Sequence, residues 1–393
     1  MLNRRQLLTT AGTSLAAMLL ARSFPAIAQT RPLRIGALIS RMDAEGQDEL
    51  IQPYDQQMRL GMHLAMDEIN AAGGILGRRV ELVVADDGGS PAPGAAAALG
   101  MIQNEGVEAL VSGFVTASRR FVERTFRKEG LDIPVIHALW TEGTYCGTTI
   151  HVAPTSIQTI RTMIEHFGPD SQRRTFQVSD WSPSQRTISS QFYFMVQAGA
   201  VGAALVTTPV TGNSPGAYTG MVRWAHDLKA ENFWVSVPRP YAVNLVRQAY
   251  ASGIGDEFNY FFLDFSEWQA SRLPESAEVW TCVPFVASDP DPAVQDFVAR
   301  ARRRSGGDLV THVAFSHYNA IQAFKIGMEK AGSTSGDAVG AALQGVELAS
   351  AAGPIVLGPS RYGTMPLYIA RGTRQGFEVV RKFDAVDPGS NCT

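Results

Sequence analysis

The chain has 393 residues, with 34 Lys and Arg against 37 Asp and Glu and a formal net charge of −3. That balance argues against nucleic acid as a partner, and the length suits two domains of about 150 residues or more. Three widely spaced cysteines (Cys146, Cys282 and Cys392) fit neither a disulfide framework nor a zinc site. One disulfide is open to an exported chain, and the sequence does not choose the pair.

Arg4 and Arg5 precede an apolar run from Leu7 to Ala21, and the triplet AIA follows at 26–28. This is the build of a cleavable secretory signal over residues 1–28, of twin-arginine type. The run is shorter than the about 18–20 apolar residues that a membrane span requires. Removing residues 1–28, with Arg4, Arg5, Arg22 and no acid, leaves 365 residues and takes the net charge from −3 to −6.

RIGALIS (34–40) reads as a first buried strand, and SRMDAEGQDELIQPYD (40–55) as the loop after it. Met58, Met62, Ala65 and Ile69 recur at helical spacing and define one buried face. Asp67 lies opposite that face and Glu68 on its flank, so both are expected to be solvated. Gly73 and Gly74 stop the helix, Gly77 permits a turn, and RVELVVA (79–85) is a second strand. Glu81 stands alone within it. Asp86 and Asp87 end it, and adjacent strand residues point to opposite sides, so they do not readily chelate as a pair. Loop capping explains them better than a cation or amine site.

VEALVSG, IPVIH, TFQVS, AALVTT, FWVSV and FNYFFLD follow as further strands, most of them separated by a helix. Such alternation implies parallel sheets covered on both faces. One βα series ends near residues 149–156 and a second near 278–292. A long helix over 312–332, stopped by Gly332, comes next, and the tail from Gly353 reads as strand, turn, strand, turn, strand. The fold class is α/β, with two doubly wound parallel-sheet lobes and a chain that crosses between them more than once.

Candidate chemistry is sparse. GNSPG (212–216) matches the G-x-S-x-G elbow, but Pro215 lacks the N–H that the oxyanion hole would need after Ser214. His312 and His317 lack zinc-helix spacing and read as ordinary polar positions on a helix. Arg300 to Arg304 read as a solvated helix end. No phosphate-binding glycine loop follows a strand, and nothing calls for a cofactor or a metal.

SGFVTASRR (112–120) is more informative. A strand ends, glycine permits close approach, and the N-cap types Thr116 and Ser118 open a helix whose free N–H groups suit a ligand oxygen. A plain N-cap explains the same residues equally well. Trp181 in SDW ends a second-lobe strand, where it either closes over a ligand or packs between lobes. His137 and Trp140 follow IPVI. Polar and aromatic residues at strand ends, with no catalytic set, describe a recognition cleft.

Together these pieces resemble the periplasmic solute-binding proteins of branched-chain amino-acid and amide ABC transporters, the Leu/Ile/Val-binding group of the type I periplasmic-binding fold. LAMDEINAAGGILGRRVELVVADD is similar to that family's first helix, turn and second strand. GFVTASRRFVERTF is similar to its hydroxyl-bearing ligand loop and following helix. WTEGTY and SDWSPSQR resemble the amide- and urea-binding branch, and GPIVLGPSRYGTMPLYIARG its final hairpin. The resemblance implies two lobes joined by a three-crossover hinge, with residues 33–152 and 284–355 in the first and 153–283 and 356–393 in the second.

It also implies a ligand set. Thr116 matches the family's hydroxyl, with Phe114 and Val115 before it, and the stretch from His137 to Leu139 matches the contact after the next strand. Trp181 replaces a tyrosine. The second lobe would contribute near Val237 and over 264–267, including Asp264 and Ser266. Arg41, in a loop unlike the family's, would pair with a ligand carboxylate or be solvated. The expected protein is a monomeric periplasmic component of an ABC importer. It would hand a small polar solute (an amino acid, an amide or urea-like compound, or an aromatic acid) to an inner-membrane permease. A ligand-sensing module of an amide-responsive regulator is the first rival, and an exported hydrolase the second.

Overall fold

The computed structural model describes residues 31–39, 48–113, 116–168, 174–179, 183–197, 204–209, 218–237, 242–307, 309–389 and 392. The first sheet holds β1 (Leu33–Ile39), β2 (Val80–Asp86), β3 (Val107–Val111), β4 (Val135–His137) and β5 (Ile150–His151). Its order is β2-β1-β3-β4-β5, and all its pairings are parallel. Helices α1 (Asp48–Ala71), α2 (Pro91–Glu105) and α3 (Thr116–Lys128) connect these strands.

The chain then builds a second sheet. Helix α4 (Ser156–Phe167) leads into β6 (Thr175–Ser179), α5 (Pro183–Gln197), β7 (Ala204–Pro209) and α6 (Thr219–Asp227). Next come β8 (Asn232–Val235), α7 (Ala242–Ala251), β9 (Asn259–Phe262), the short α8 (Glu267–Ala270) and β10 (Val279–Val283). These five strands pair in parallel as β7-β6-β8-β9-β10. Helices α9 (Pro292–Ser305), α10 (His312–Ala331) and α11 (Gly336–Leu343) follow, and α9 and α10 return to pack on α1. Strands β11 (Glu347–Leu348), β12 (Ile355–Leu357), β13 (Gly363–Thr373) and β14 (Gly376–Val386) complete the second sheet, with β13 antiparallel to β10. The molecule is therefore an α/β protein of two doubly wound lobes, with an antiparallel extension on the second sheet.

The apolar face of α1 is buried as its spacing predicts: Met58, Met62, Ala65 and Ile69 are all at most 4 % exposed. Gly73, Gly74 and Gly77 have positive φ, and Asn70 brackets the backbone of Val80 with two hydrogen bonds. A Cβ on Gly61 would lie 2.0 Å from the carbonyl oxygen of Ala314, so α1 and α10 approach at a contact that only glycine admits.

Three expectations need correction. The presumed loop 40–55 is helical from Asp48, because the amphipathic pattern of α1 starts before Met58. Glu68 is not a solvated flank, since it accepts from Arg300 and from the Tyr318 hydroxyl (2.7 Å). Nor are Arg300 and Arg304 a free helix end. They close the return of α9 onto α1 by pairing with Glu68 and Asp67. Partners more than 200 residues away in sequence are invisible to local spacing.

Asp86 and Asp87 cap their own loop, accepting from the N–H groups of Gly88 (2.8 Å) and Gly89 (2.9 Å). Glu81 pairs with Arg34 on the neighbouring strand. Cys146 and Cys392 form a disulfide that ties the segment before β5 to the chain's last residues, and Cys282 is a buried thiol.

Candidate functional site

Open parallel sheets leave a crevice at the carboxyl ends of their strands. In the first lobe β3 ends at Val111, just before Ser112, β4 ends at His137, and α3 begins at Thr116. In the second lobe β6 ends at Ser179 and α5 begins at Pro183. Helices α3 and α5 touch here, so the two lobes meet at these ends.

The meeting point is a buried polar network. His137 is fully buried, with Nδ1 2.9 Å from Ser112 Oγ and Nε2 3.0 Å from Arg119 Nη1. A guanidinium only donates, so Nε2 accepts and Nδ1 carries the proton toward Ser112. Arg119, 1 % exposed, also donates to Thr141 Oγ1 (3.1 Å). Glu142, equally buried, lies 3.9 Å from Arg119 and 2.7 Å from Arg120. Its Oε2 accepts the hydroxyls of Thr116 (3.0 Å), Thr141 (3.1 Å) and Ser184 (3.1 Å). Its backbone carbonyl accepts from Gln191 Nε2 (2.7 Å) and Ser156 Oγ (3.2 Å). Burial pushes the Glu142 carboxyl upward, but the charge of Arg119, a backbone hydrogen bond, the charge of Arg120 and the Thr116 hydroxyl together hold the group below the usual carboxylate range. Burial lowers the Arg119 guanidinium against the pull of Glu142.

A second polar group lies deeper between the lobes. Ala138, Leu139, Trp140, Ala153, Pro154, Asp264, Cys282, Pro284, His312 and Ser316 line one small cavity. They enclose about 10 Å³, of the order of one water molecule. Asp264 Oδ1 lies 2.9 Å from His312 Nε2, both side chains being buried. Burial raises the nearby Glu267 carboxyl to about 7, against the opposing pull of His312. An amino acid or an aromatic ring does not fit this space.

The expected site residues are distributed as follows. Thr116 and His137 join the first network, while Leu139 and Asp264 line the small cavity. Val237 packs into the core of the second lobe. Ser266 is spent on its own helix cap, its N–H and hydroxyl both donating to Gln269 Oε1. Arg41, Phe114, Val115 and Trp181, with the GNSPG segment, lie outside the described residues. Thr116 is the first helical residue and donates its hydroxyl to Glu142, where a simple cap would accept from a helix N–H.

Sequence reasoning missed Arg119, Arg120, Glu142, Ser184 and Gln191 as members of these clusters, whereas Glu267 falls in the expected 264–267 loop. It also misread His312 and His317 as ordinary polar positions, since both are buried and His312 faces Asp264. For these two the available signal was the run of polar residues His312, Ser316, His317 and Asn319 on a helix that is otherwise largely apolar.

Two parallel sheets whose strand ends converge on one polar crevice define a two-lobed binding fold of the type I periplasmic-binding class. The chain belongs to the periplasmic binding protein family, which matches residues 33–376. It is similar to the Leu/Ile/Val-binding protein BraC3 of Rhizobium johnstonii, 26 % identical over 333 residues, covering 78 % of this chain and 84 % of the relative. Its fold is similar to a solute-binding protein of an ABC transporter from Rhodopseudomonas palustris BisB5, solved with 3,4-dihydroxybenzoic acid. That match has TM-score 0.77 and 17 % identity, and covers 91 % of this chain and 99 % of the other. The closed form of a Leu-, Ile-, Val-, Thr- and Ala-binding protein from Brucella ovis matches with TM-score 0.78 and 14 % identity, over 93 % and 99 % of the two chains. Among the described residues no helix is long and apolar enough to cross a membrane, and no group of His, Cys, Asp and Glu is placed to hold a metal.

Proposed function

We propose that this chain is the exported, periplasmic substrate-binding component of an ABC importer, acting as a monomer that captures a small polar organic solute and presents it to an inner-membrane permease. The observation that carries this reading is the Glu142 network, in which Thr116 and Arg120 of one lobe meet Ser184 and Gln191 of the other at the strand ends. A crevice whose polar groups come from two bodies is one whose ligand affinity depends on their closure. Residues 33–152 and 284–355 form the first lobe of this reading and 153–283 with 356–393 the second, after removal of residues 1–28. Thr116, His137, Leu139 and Asp264 face the crevice, with Phe114, Val115, Trp181 and Arg41 assigned to it from sequence.

The solute class is an amino acid, an amide or urea-like compound, or an aromatic acid. Support comes from the Leu/Ile/Val-binding relative and from similar folds solved with aromatic acids. The same fold suits a sensory module, and an export signal favours the importer over a cytoplasmic regulator. The test is a thermal-shift screen of purified protein against amino acids, amides and aromatic acids. One solute class should raise Tm in proportion to the logarithm of its concentration. A flat response across the whole panel rejects the reading.

A further inference from the structure

The polarity of the crevice is set by one residue. Glu142 is an ionised acid held between Arg119 and Arg120, and a carboxylate only accepts hydrogen bonds. The hydroxyls of Thr116 and Ser184 both reach its Oε2, at 3.0 and 3.1 Å, and their oxygens lie 3.4 Å apart. A hydroxyl has one hydrogen and two lone pairs. With each hydrogen committed to Glu142, Thr116 and Ser184 keep only lone pairs for anything else that enters between the lobes. Arg119 is also engaged, with its two terminal nitrogens on His137 and Thr141. Glu142 thus offsets one of the two guanidinium charges, and the hydroxyls that would otherwise donate to an oxyanion are turned into acceptors.

We infer that Glu142 is a specificity-determining residue: it makes the Thr116–Ser184 face of the crevice a receptor for N–H donors, such as a primary amide or a urea-type nitrogen, and excludes a solute carboxylate from that face. This rests on the proposed solute-binding role and narrows it. A carboxylate placed there would meet two lone-pair-bearing oxygens and the charge of Glu142, with no free hydroxyl hydrogen to receive it. An amide nitrogen would find acceptors on one residue from each lobe, and binding would draw the lobes together.

The experiment uses matched acid and amide pairs (acetate and acetamide, benzoate and benzamide, leucine and leucinamide) titrated calorimetrically into wild type, Glu142→Gln and Thr116→Val. In at least one pair the wild type should take the amide at least about tenfold more tightly, the scale of one hydrogen bond gained against one repelled. Glu142→Gln brings its own N–H donors and removes the charge, so the Thr116 and Ser184 hydroxyls can turn outward. The amide-to-acid ratio should then fall by about tenfold or more. Thr116→Val, which removes an acceptor and one hydroxyl from Glu142 but keeps the carboxylate and its Ser184 contact, should weaken the amide and spare the acid. It keeps the test open where Glu142→Gln does not fold.

A wild type that prefers the acid of every pair it binds overturns the inference, as does an unchanged ratio in Glu142→Gln or an equal loss of both members in Thr116→Val. A wild type that binds a solute of the wider panel but none of the amides overturns it alone and leaves the importer role standing. A wild type that binds nothing in either set rejects the importer role, and the inference falls with it.

Discussion

Asp264 Oδ1 and His312 Nε2 lie 2.9 Å apart, in side chains only 8 % and 7 % exposed. The pair joins the end of β9 in the second lobe to the first residue of α10, which packs on α1 of the first. Burying two such groups costs hydration, and their contact offsets that cost only while both are present. His312→Ala should therefore destabilise the protein by about 3–5 kcal/mol, because it strands Asp264. Adding Asp264→Ala should recover part of the loss. Urea unfolding of the two single variants and the double variant measures the coupling, and strictly additive losses would show that the pair does not act as a unit.

Glu267 gives the protein a pH dependence of opposite sense to most acids. Burial raises its folded pKa from 4.5 to about 7, so the folded state binds this proton more tightly than the unfolded state. Stability must then fall as pH rises from about 4.5 to 7 and level off above. Glu267→Gln removes the titration. Compared with the wild type, its stability relative to pH 5 should improve at pH 8 by up to about 3 kcal/mol. Paired Tm–pH profiles read this directly. Parallel profiles for the two proteins would place the group's titration elsewhere.

Gly61 offers a test of the helix contact that brings α10 back onto α1. A methyl there would run into the Ala314 carbonyl, which is backbone and cannot rotate away. Gly61→Ala should cost about 1–3 kcal/mol, although alanine is the better helix former by about 1 kcal/mol. A gain in urea midpoint would show that α1 and α10 part easily enough to admit the methyl.

Much of the fold was legible because its signals are local. Met58, Met62, Ala65 and Ile69 announce a buried helix face by their spacing alone, and Gly73, Gly74 and Gly332 end helices because their φ is positive. Alternation of strand and helix was enough for two parallel sheets. The candidate site was only half legible. Thr116 and His137 were visible at a helix start and a strand end, whereas Glu142, although inside WTEGTY, carries no periodicity that marks it, and its partners Arg120 and Ser184 lie 22 and 42 residues away.

The sequence by itself determined the elements, their alternation and the family resemblance, since each follows from side-chain periodicity and backbone preference over a few residues. Only the tertiary structure decided where the charges go. Arg300 finds Glu68 across 232 positions, Cys146 finds Cys392 across 246, and Ser184 meets Glu142 across 42. Electrostatic and hydrogen-bond partners are chosen by distance in space. In a chain that crosses repeatedly between two lobes, that distance is fixed by how the lobes pack and not by separation along the sequence.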